Sequence, residues 1–268
     1  MQVTCPLPPI GLGVFEAGEL VYNSVRLAID CGCRHIDTAA FYGNEAEVGR
    51  AVRECGIKRE QIFVASKLWP LDYDHPQQGF EESLRRLGLD YVDAYLLHWP
   101  GTDSVKRLKA WECVLGLSQK GLIHYPAVSN FLPVHLTELK DETGELPAYD
   151  QMELHPWYRQ QETVEYCREN GMKVVAWAPL YRGRAVAEPG IQELAQKYAR
   201  TPAQITLRWH IQHEYNPIPK SVTPKRIEEN FRVFDFALSA EDMARMDGLE
   251  DGDHMSFNPM TFNGIIDE

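Results

Sequence analysis

Four side chains whose types could move a proton fall at or just after the ends of three successive apolar runs. Asp37 closes the run 34–37 and Tyr42 follows it by five residues, Lys67 closes 62–67, and His98 closes 92–98. A phenol is a poor acid near neutral pH, but a neighbouring ammonium stabilises its anion, and each pKa unit is about 1.4 kcal/mol. Lys67 is expected to supply that charge and so lower the pKa of Tyr42. Asp37 is expected to pair with Lys67, orienting it and keeping it protonated. His98 can donate a hydrogen bond to a carbonyl oxygen. A carbonyl docked between Tyr42 and His98 would be polarised, then protonated as hydride reached its carbon, which is reduction to an alcohol. General acid catalysis of this kind contributes about 10²–10⁴-fold. Taken singly, the four read as a turn cap, a packed aromatic, a surface cation and a satisfied histidine. Placed together at neighbouring run ends they read as one catalytic site.

Such a site needs elements that bring the run ends together. Short apolar runs recur at 10–13, 34–37, 62–67, 92–98, 127–130, 149–152, 173–177 and 217–220, separated mostly by stretches with i, i+3, i+4 periodicity, as in Phe80, Leu84 and Leu87. Strands alternating with helices imply parallel pairing and right-handed crossovers. No Pro/Ser-rich linker or charge run divides the chain, so residues 1–268 are expected to form one domain, an α/β (β/α)₈ TIM barrel. The alternative, an open doubly wound sheet, calls for a G-x-G-x-x-G turn after the first strand, and Gly11-Leu12-Gly13 lacks the third glycine. In a barrel the chemistry sits at the C-terminal rim of the strands. Seven of the eight runs end there in a polar or aromatic group, adding Ser129, Asn130, Gln151, Trp177 and Lys220-Ser221 to the four above.

The composition narrows the partners. The 268 residues carry a formal charge of −12, a field that repels nucleic-acid backbones and anionic lipid, so neither is expected to bind. The longest apolar stretches, such as 174–178, fall far short of the roughly 20 residues of a membrane span, and the first residues show no export signal, so a cytoplasmic location is expected. Six cysteines are too sparse for a disulfide framework and read as thiols. Cys31-Gly-Cys33-Arg-His35 brings two thiolates and an imidazole together, but no second pair completes a metal site, and no metal is expected. The expected partner is a small carbonyl compound, bound by a monomer.

With these motifs in view the sequence resembles the aldo-keto reductase family. Residues 32–49, Gly-Cys-Arg-His-Ile-Asp-Thr-Ala-Ala-Phe-Tyr-Gly-Asn-Glu-Ala-Glu-Val-Gly, look like its first signature and hold the Asp and Tyr of its catalytic tetrad. Lys67 in Ser-Lys-Leu-Trp and His98 in Leu-Leu-His-Trp-Pro match the other two, and residues 218–230 match its cofactor signature. The resemblance runs from about Leu7 to Phe262. Gln151-Met-Glu-Leu-His-Pro, Trp177-Ala-Pro-Leu and Val233-Phe-Asp-Phe look most like the microbial prostaglandin F synthase and 2,5-diketogluconate reductase branch.

The resemblance implies NADPH laid across the barrel mouth. Lys220, Lys225 and Arg226, with the Ser221 hydroxyl, make a basic cluster suited to a 2′-phosphate in an otherwise acidic chain. Glu229 and Asn230 would meet the adenine as in the family. Ser129, Asn130 and Gln151 match a nicotinamide carboxamide, Trp177 offers its ring a flat face, Asp37 borders it, and Gly13 allows a close approach. Ala178 stands where relatives commonly have a serine, so phosphate contacts are expected from backbone groups around Leu180 and Tyr181. Pro126 and Ala127 depart from the second signature, with Pro126 expected at the start of its strand, and little of the relatives' N-terminal hairpin is present. Phe15, Trp69 and Trp99, with Tyr42 and His98, are expected to meet the substrate, joined by Met255, Phe257 and Phe262 from the C-terminal segment. Two competing readings remain: a cofactor-sensing regulatory subunit, as among channel-associated relatives, and a metal-dependent barrel hydrolase. The complete tetrad argues against the first, and the lack of a His-x-His after the first run against the second.

Overall fold

The computed structural model describes residues 5–266. Eight parallel strands pair in chain order in one curled sheet: β1 (Leu12–Gly13), β2 (His35–Asp37), β3 (Phe63–Leu68), β4 (Val92–Leu97), β5 (Ile123–Ser129), β6 (Tyr149–Glu153), β7 (Lys173–Trp177) and β8 (Asn216–Pro217). Helices α1 (Val21–Asp30), α2 (Glu45–Glu54), α3 (Pro76–Leu87), α4 (Ser104–Gln119), α5 (Pro133–Thr143) and α6 (Gln161–Glu169) each connect one strand to the next. Between β7 and β8 lie α7 (Arg184–Ala187), α8 (Pro189–Tyr198) and α9 (Pro202–Gln212), and after β8 come α10 (Pro224–Phe231) and α11 (Ala240–Asp247). Two backbone bonds join the ends of the sheet, from Gly11 N–H to Pro217 O at 3.0 Å and from Gly13 N–H to Pro219 O at 3.3 Å.

The strands are short, mostly apolar runs because both faces are covered. Alternate residues feed two different cores. Phe63, Ala65, Ala94, Leu96, Ala127, Tyr149, Val175 and Ile218 pack together on one face, while Val64, Leu68, Tyr95, Leu97, Val128, Met152 and Val174 pack with the helices on the other. Helix α2 lies so close to α3 that a Cβ on Gly49 would stand 1.8 Å from Leu87 O, so only glycine fits there.

Three strands have a boundary two or more residues from the sequence expectation, for reasons that lie in the backbone. The last run was expected over 217–220, but Pro217 and Pro219 have no N–H; Ile218 donates to Ala176 O at 3.0 Å, while the proline carbonyls accept from Gly11, just before the first strand, and from Gly13 within it. Strand β5 starts at Ile123, four residues earlier than expected, so Pro126 sits inside it rather than at its start. Its carbonyl accepts from Ala148 N–H at 2.8 Å, which shows that its missing donor faces the side where β6 has yet to begin. The first strand is shorter than the expected 10–13, its glycines bonding toward the eighth instead. Among the described residues no helix is long and apolar enough to cross a membrane.

Candidate active site

The ends of β2, β3 and β4 bring the four expected catalytic side chains together. Lys67 Nζ, wholly buried, donates to Asp37 Oδ1 at 2.5 Å, to Thr38 O at 2.9 Å and to Tyr42 Oη at 3.4 Å. The rings of Tyr42 and His98 meet edge to face at 5.6 Å. Tyr42 sits in a 3-10 turn, Ala40–Tyr42, ended by Gly43 in the left-handed region at φ 66°. Asn44 ties that turn down, accepting from Thr38 Oγ1 at 2.7 Å and donating to Val14 O at 2.9 Å.

The electrostatics differ from the expectation at Tyr42. Burial, with the Asp37 carboxylate acting in the same direction, pushes the phenol well above its usual value near 10, where the sequence suggested that Lys67 would lower it. The ammonium is already matched by the carboxylate it touches, whose charge offsets its field at the phenol. Burial lowers the pKa of Lys67, opposed by its pairing with Asp37. His98 lies well below its usual value near 6.5, from burial first and the Lys67 charge second, so its ring is neutral at pH 7. Its Nδ1 is buried with no hydrogen-bond partner among the described residues.

The residues assigned to the nicotinamide form one chain of hydrogen bonds running out from this centre. Gln151 Nε2 donates to Asp37 Oδ2 at 2.7 Å, Ser129 Oγ to Gln151 O at 2.7 Å, and Asn130 Nδ2 to Ser129 Oγ and to His98 O, both at 3.0 Å. Trp177, half-buried, donates its indole N–H to Asn130 Oδ1 at 2.8 Å, which fixes the plane of its ring. Asn130 holds φ 63°, a left-handed conformation that asparagine tolerates better than most residues. Gly13 packs so tightly on Ile218 O that a Cβ would lie 2.9 Å from it; the close approach that the glycine permits here is to the eighth strand.

The basic cluster lies where β8 passes into α10. Lys220, Lys225 and Arg226 are exposed, whereas Ser221 and Asn230 are buried. Ser221 Oγ accepts from Thr223 N–H at 3.2 Å, and Lys225 pairs with Glu229 at 3.8 Å. Lys220 and Arg226 have no ion-pair partner among the described residues, although the chain is acidic. Two cations left unneutralised at a helix N-terminus fit a phosphate. Around Leu180 two backbone donors are already used: Tyr181 N–H donates to Ala178 O at 2.8 Å and Gly183 N–H to Leu180 O at 2.9 Å.

On the substrate side, Trp69, Trp99 and Phe262 form a small buried cluster. Trp69 meets the His98 ring at 5.0 Å, Phe15 meets Tyr42 at 5.0 Å, and Phe257 stacks on Phe262 at 4.4 Å. Of Met255, it is the backbone N–H that is engaged, by Glu153 at 2.9 Å. Three contributors escaped the sequence reading. Phe41, largely exposed, stacks on Trp69 at 4.1 Å. Asn44 and Glu153 hold loops through backbone groups far away in the sequence, and their only signal was a polar residue inside a signature noted for other members.

The aldo/keto reductase family model matches residues 9–251. An aldo-keto reductase of Mycolicibacterium smegmatis is 45% identical over 260 residues, covering 96% of this chain and 94% of its own. The methylglyoxal reductase DkgA of Escherichia coli K12 is 40% identical over 261 residues, covering 96% and 95%. The crystal structure of an aldo-keto reductase enzyme from a Medee basin deep-sea metagenome library matches with a TM-score of 0.91 at 38% identity, over 98% of this chain and 97% of that one.

Proposed function

The chain belongs to the aldo/keto reductase family, and from that premise we propose that it is an NADPH-dependent enzyme reducing aldehydes and ketones to alcohols. The observation that carries this reading is the contact of Lys67 Nζ with both Asp37, at 2.5 Å, and the Tyr42 hydroxyl, at 3.4 Å, beside the neutral ring of His98. NADPH, when bound, supplies the hydride. Tyr42 is the general acid, because its phenol stays protonated until charge develops on the substrate oxygen. His98 donates to that oxygen and Asp37 holds Lys67 in place. Trp177, Asn130, Ser129 and Gln151 form the nicotinamide side, Lys220, Ser221 and Arg226 the 2′-phosphate side, with Glu229 and Asn230 toward the adenine and Gly13 and Leu180 along the rim. That Lys220 and Arg226 have no ion-pair partner among the described residues supports that placement.

In this reading residues 1–268 form one (β/α)₈ barrel domain, closed by the Gly11 and Gly13 bonds to Pro217 and Pro219 and carrying both sites on its C-terminal rim. The protein works as a cytoplasmic monomer, and the motifs at Gln151, Trp177 and Val233 support the prostaglandin F synthase and 2,5-diketogluconate reductase branch. Phe15, Trp69 and Trp99 form the substrate walls beside Tyr42 and His98. Loss of NADPH absorbance with a simple aromatic aldehyde tests the reading. No turnover above the Tyr42→Phe variant would refute it.

A further inference from the structure

At the end of β6 a wholly buried carboxylate faces groups that the reduction does not use. Glu153 accepts from Nε2 of His155 at 3.0 Å, from Met255 N–H at 2.9 and 3.1 Å, and from Ser256 N–H at 2.6 Å. Burial alone would raise its pKa, but these donors outweigh it and hold the acid below its usual value, so the group is charged. Met255 and Ser256 lie 102 and 103 residues further along the chain, at the start of the segment that bears Phe257 and Phe262. The far end of that segment is tied separately, by Trp69 Nε1 donating to Gly264 O at 2.9 Å. Between the two ties the segment has no helix or strand, and its rings reach the pocket, Phe257 and Phe262 meeting Trp99 at 5.8 and 4.9 Å. Arg184 adds exposed pairs to Asp251 and Asp253, which solvent screens.

We propose that Glu153 is a positioning residue that determines substrate size preference: its buried charge fixes the C-terminal segment so that Phe257 and Phe262 form a wall on which large apolar carbonyl compounds pack. Small carbonyl compounds, seated between Tyr42 and His98, do not reach that wall. The inference rests on the reading of Tyr42 and His98 as the carbonyl site. Ordering an irregular segment costs conformational entropy for every residue held, and charge-assisted bonds to a buried carboxylate are the strongest local offset available. A glutamine at 153 would turn an amide N–H₂ toward backbone N–H donors and release the segment.

The test compares wild type with Glu153→Gln and with Ser256→Pro, which removes one donor from the outer segment and leaves the strand untouched. For biphenyl-4-carbaldehyde KM should rise about tenfold or more in both variants, the loss of one charge-assisted bond, while kcat stays within about twofold. KM for propanal and the Kd for NADPH should not move. Chymotrypsin cleavage after Phe257 or Phe262 should quicken by about tenfold, as expected for a segment released from its tie. Equal changes for the two aldehydes, or an unchanged cleavage rate, would overturn the proposal. If Glu153→Gln does not fold, Ser256→Pro decides on the same two measurements. If wild type reduces neither aldehyde, the reductase reading fails, and the cleavage rates still decide whether Glu153 holds the segment.

Discussion

Replacing Lys67 by Met should destabilise the fold more than any exposed substitution, and should do so through Asp37. Lys67 is wholly buried and its ammonium touches Asp37 Oδ1, Thr38 O and Tyr42 Oη. Methionine matches the stem and supplies none of those donors. Asp37 would keep only the amide of Gln151, at 2.7 Å, against a charge no longer balanced. Removing one partner of a buried pair costs about 3–5 kcal/mol, which for a chain of this size lowers Tm by roughly 6–20 °C. Asp37→Leu alone should cost a similar amount, by stranding the ammonium. The double variant Asp37→Leu/Lys67→Met strands neither charge and takes a partner only from neutral groups, the Gln151 amide, Thr38 O and the Tyr42 hydroxyl, at about 1–3 kcal/mol for a buried group that stays unsatisfied. Urea unfolding followed by tryptophan fluorescence measures all four proteins, with NADPH consumption measured alongside. The double variant should recover most of the stability and none of the activity. Single variants costing under about 1 kcal/mol, or a cycle additive within about 0.5 kcal/mol, would refute the reasoning.

Tyr42→Phe should lower kcat for aldehyde reduction by at least about 10²-fold with NADPH affinity unchanged, since the ring stays and only the proton donor goes; comparable turnover would remove Tyr42 from its role. Arg226→Ala should weaken NADPH by about 10–100-fold and leave NADH nearly unaffected, in fluorescence titrations of each cofactor, and equal losses for both would refute the 2′-phosphate assignment. His35 is buried with neither ring nitrogen partnered among the described residues, and burial lowers its pKa to about 4. The unfolded chain therefore binds the proton first as pH falls. The stability that His35 contributes is fully present above about pH 6.5 and lost on the way down to about pH 4, a change of about 3 kcal/mol. In His35→Leu the stability difference between pH 7 and pH 4.5 should shrink by about 2 kcal/mol; an unchanged difference would mean that the imidazole stays hydrated.

How much was legible follows from which interactions are local. The eight strands could be read because each is buried on both faces and stands out as a short apolar run, and β7 matched its expected bounds, Lys173–Trp177, without change. The bounds of the fifth and eighth strands could not be read, because they depend on which neighbour each proline carbonyl meets. The tetrad was visible because a charged group at the end of a buried run is unusual wherever it occurs. Glu153 was not, because a carboxylate in sequence carries no mark of the backbone donors it will meet a hundred residues later. Phe41 likewise looks like any loop aromatic until Trp69 lies beneath it, with the two planes 14° apart.

The sign of the shift at Tyr42 bears most directly on how the proposed reaction runs. The sequence argument put an ammonium beside a phenol and inferred a more acidic phenol, which treats Lys67 as a lone charge. In the folded chain Asp37 Oδ1 sits 2.5 Å from Nζ, nearer than the phenol at 3.4 Å, so the phenol faces an ion pair in a buried site. A resting phenolate would meet burial and the Asp37 charge together, and the proton stays on. That suits a general acid, which must hold its proton until the substrate oxygen needs it. Once hydride transfer begins, negative charge grows on that oxygen between Tyr42 and His98, and a donor held in place stabilises it without reorganising. Lys67 then acts on the phenolate as it forms. At 3.4 Å and an effective dielectric near 20, that attraction is on the order of 5 kcal/mol before the opposing Asp37 charge is counted. The attraction is close to nil while the phenol is neutral, so it favours the transition state over the ground state, which is what catalysis requires. Within the pair, Asp37 adds to burial in keeping the acid protonated at rest, and Lys67 offsets part of that opposition as the phenol ionises.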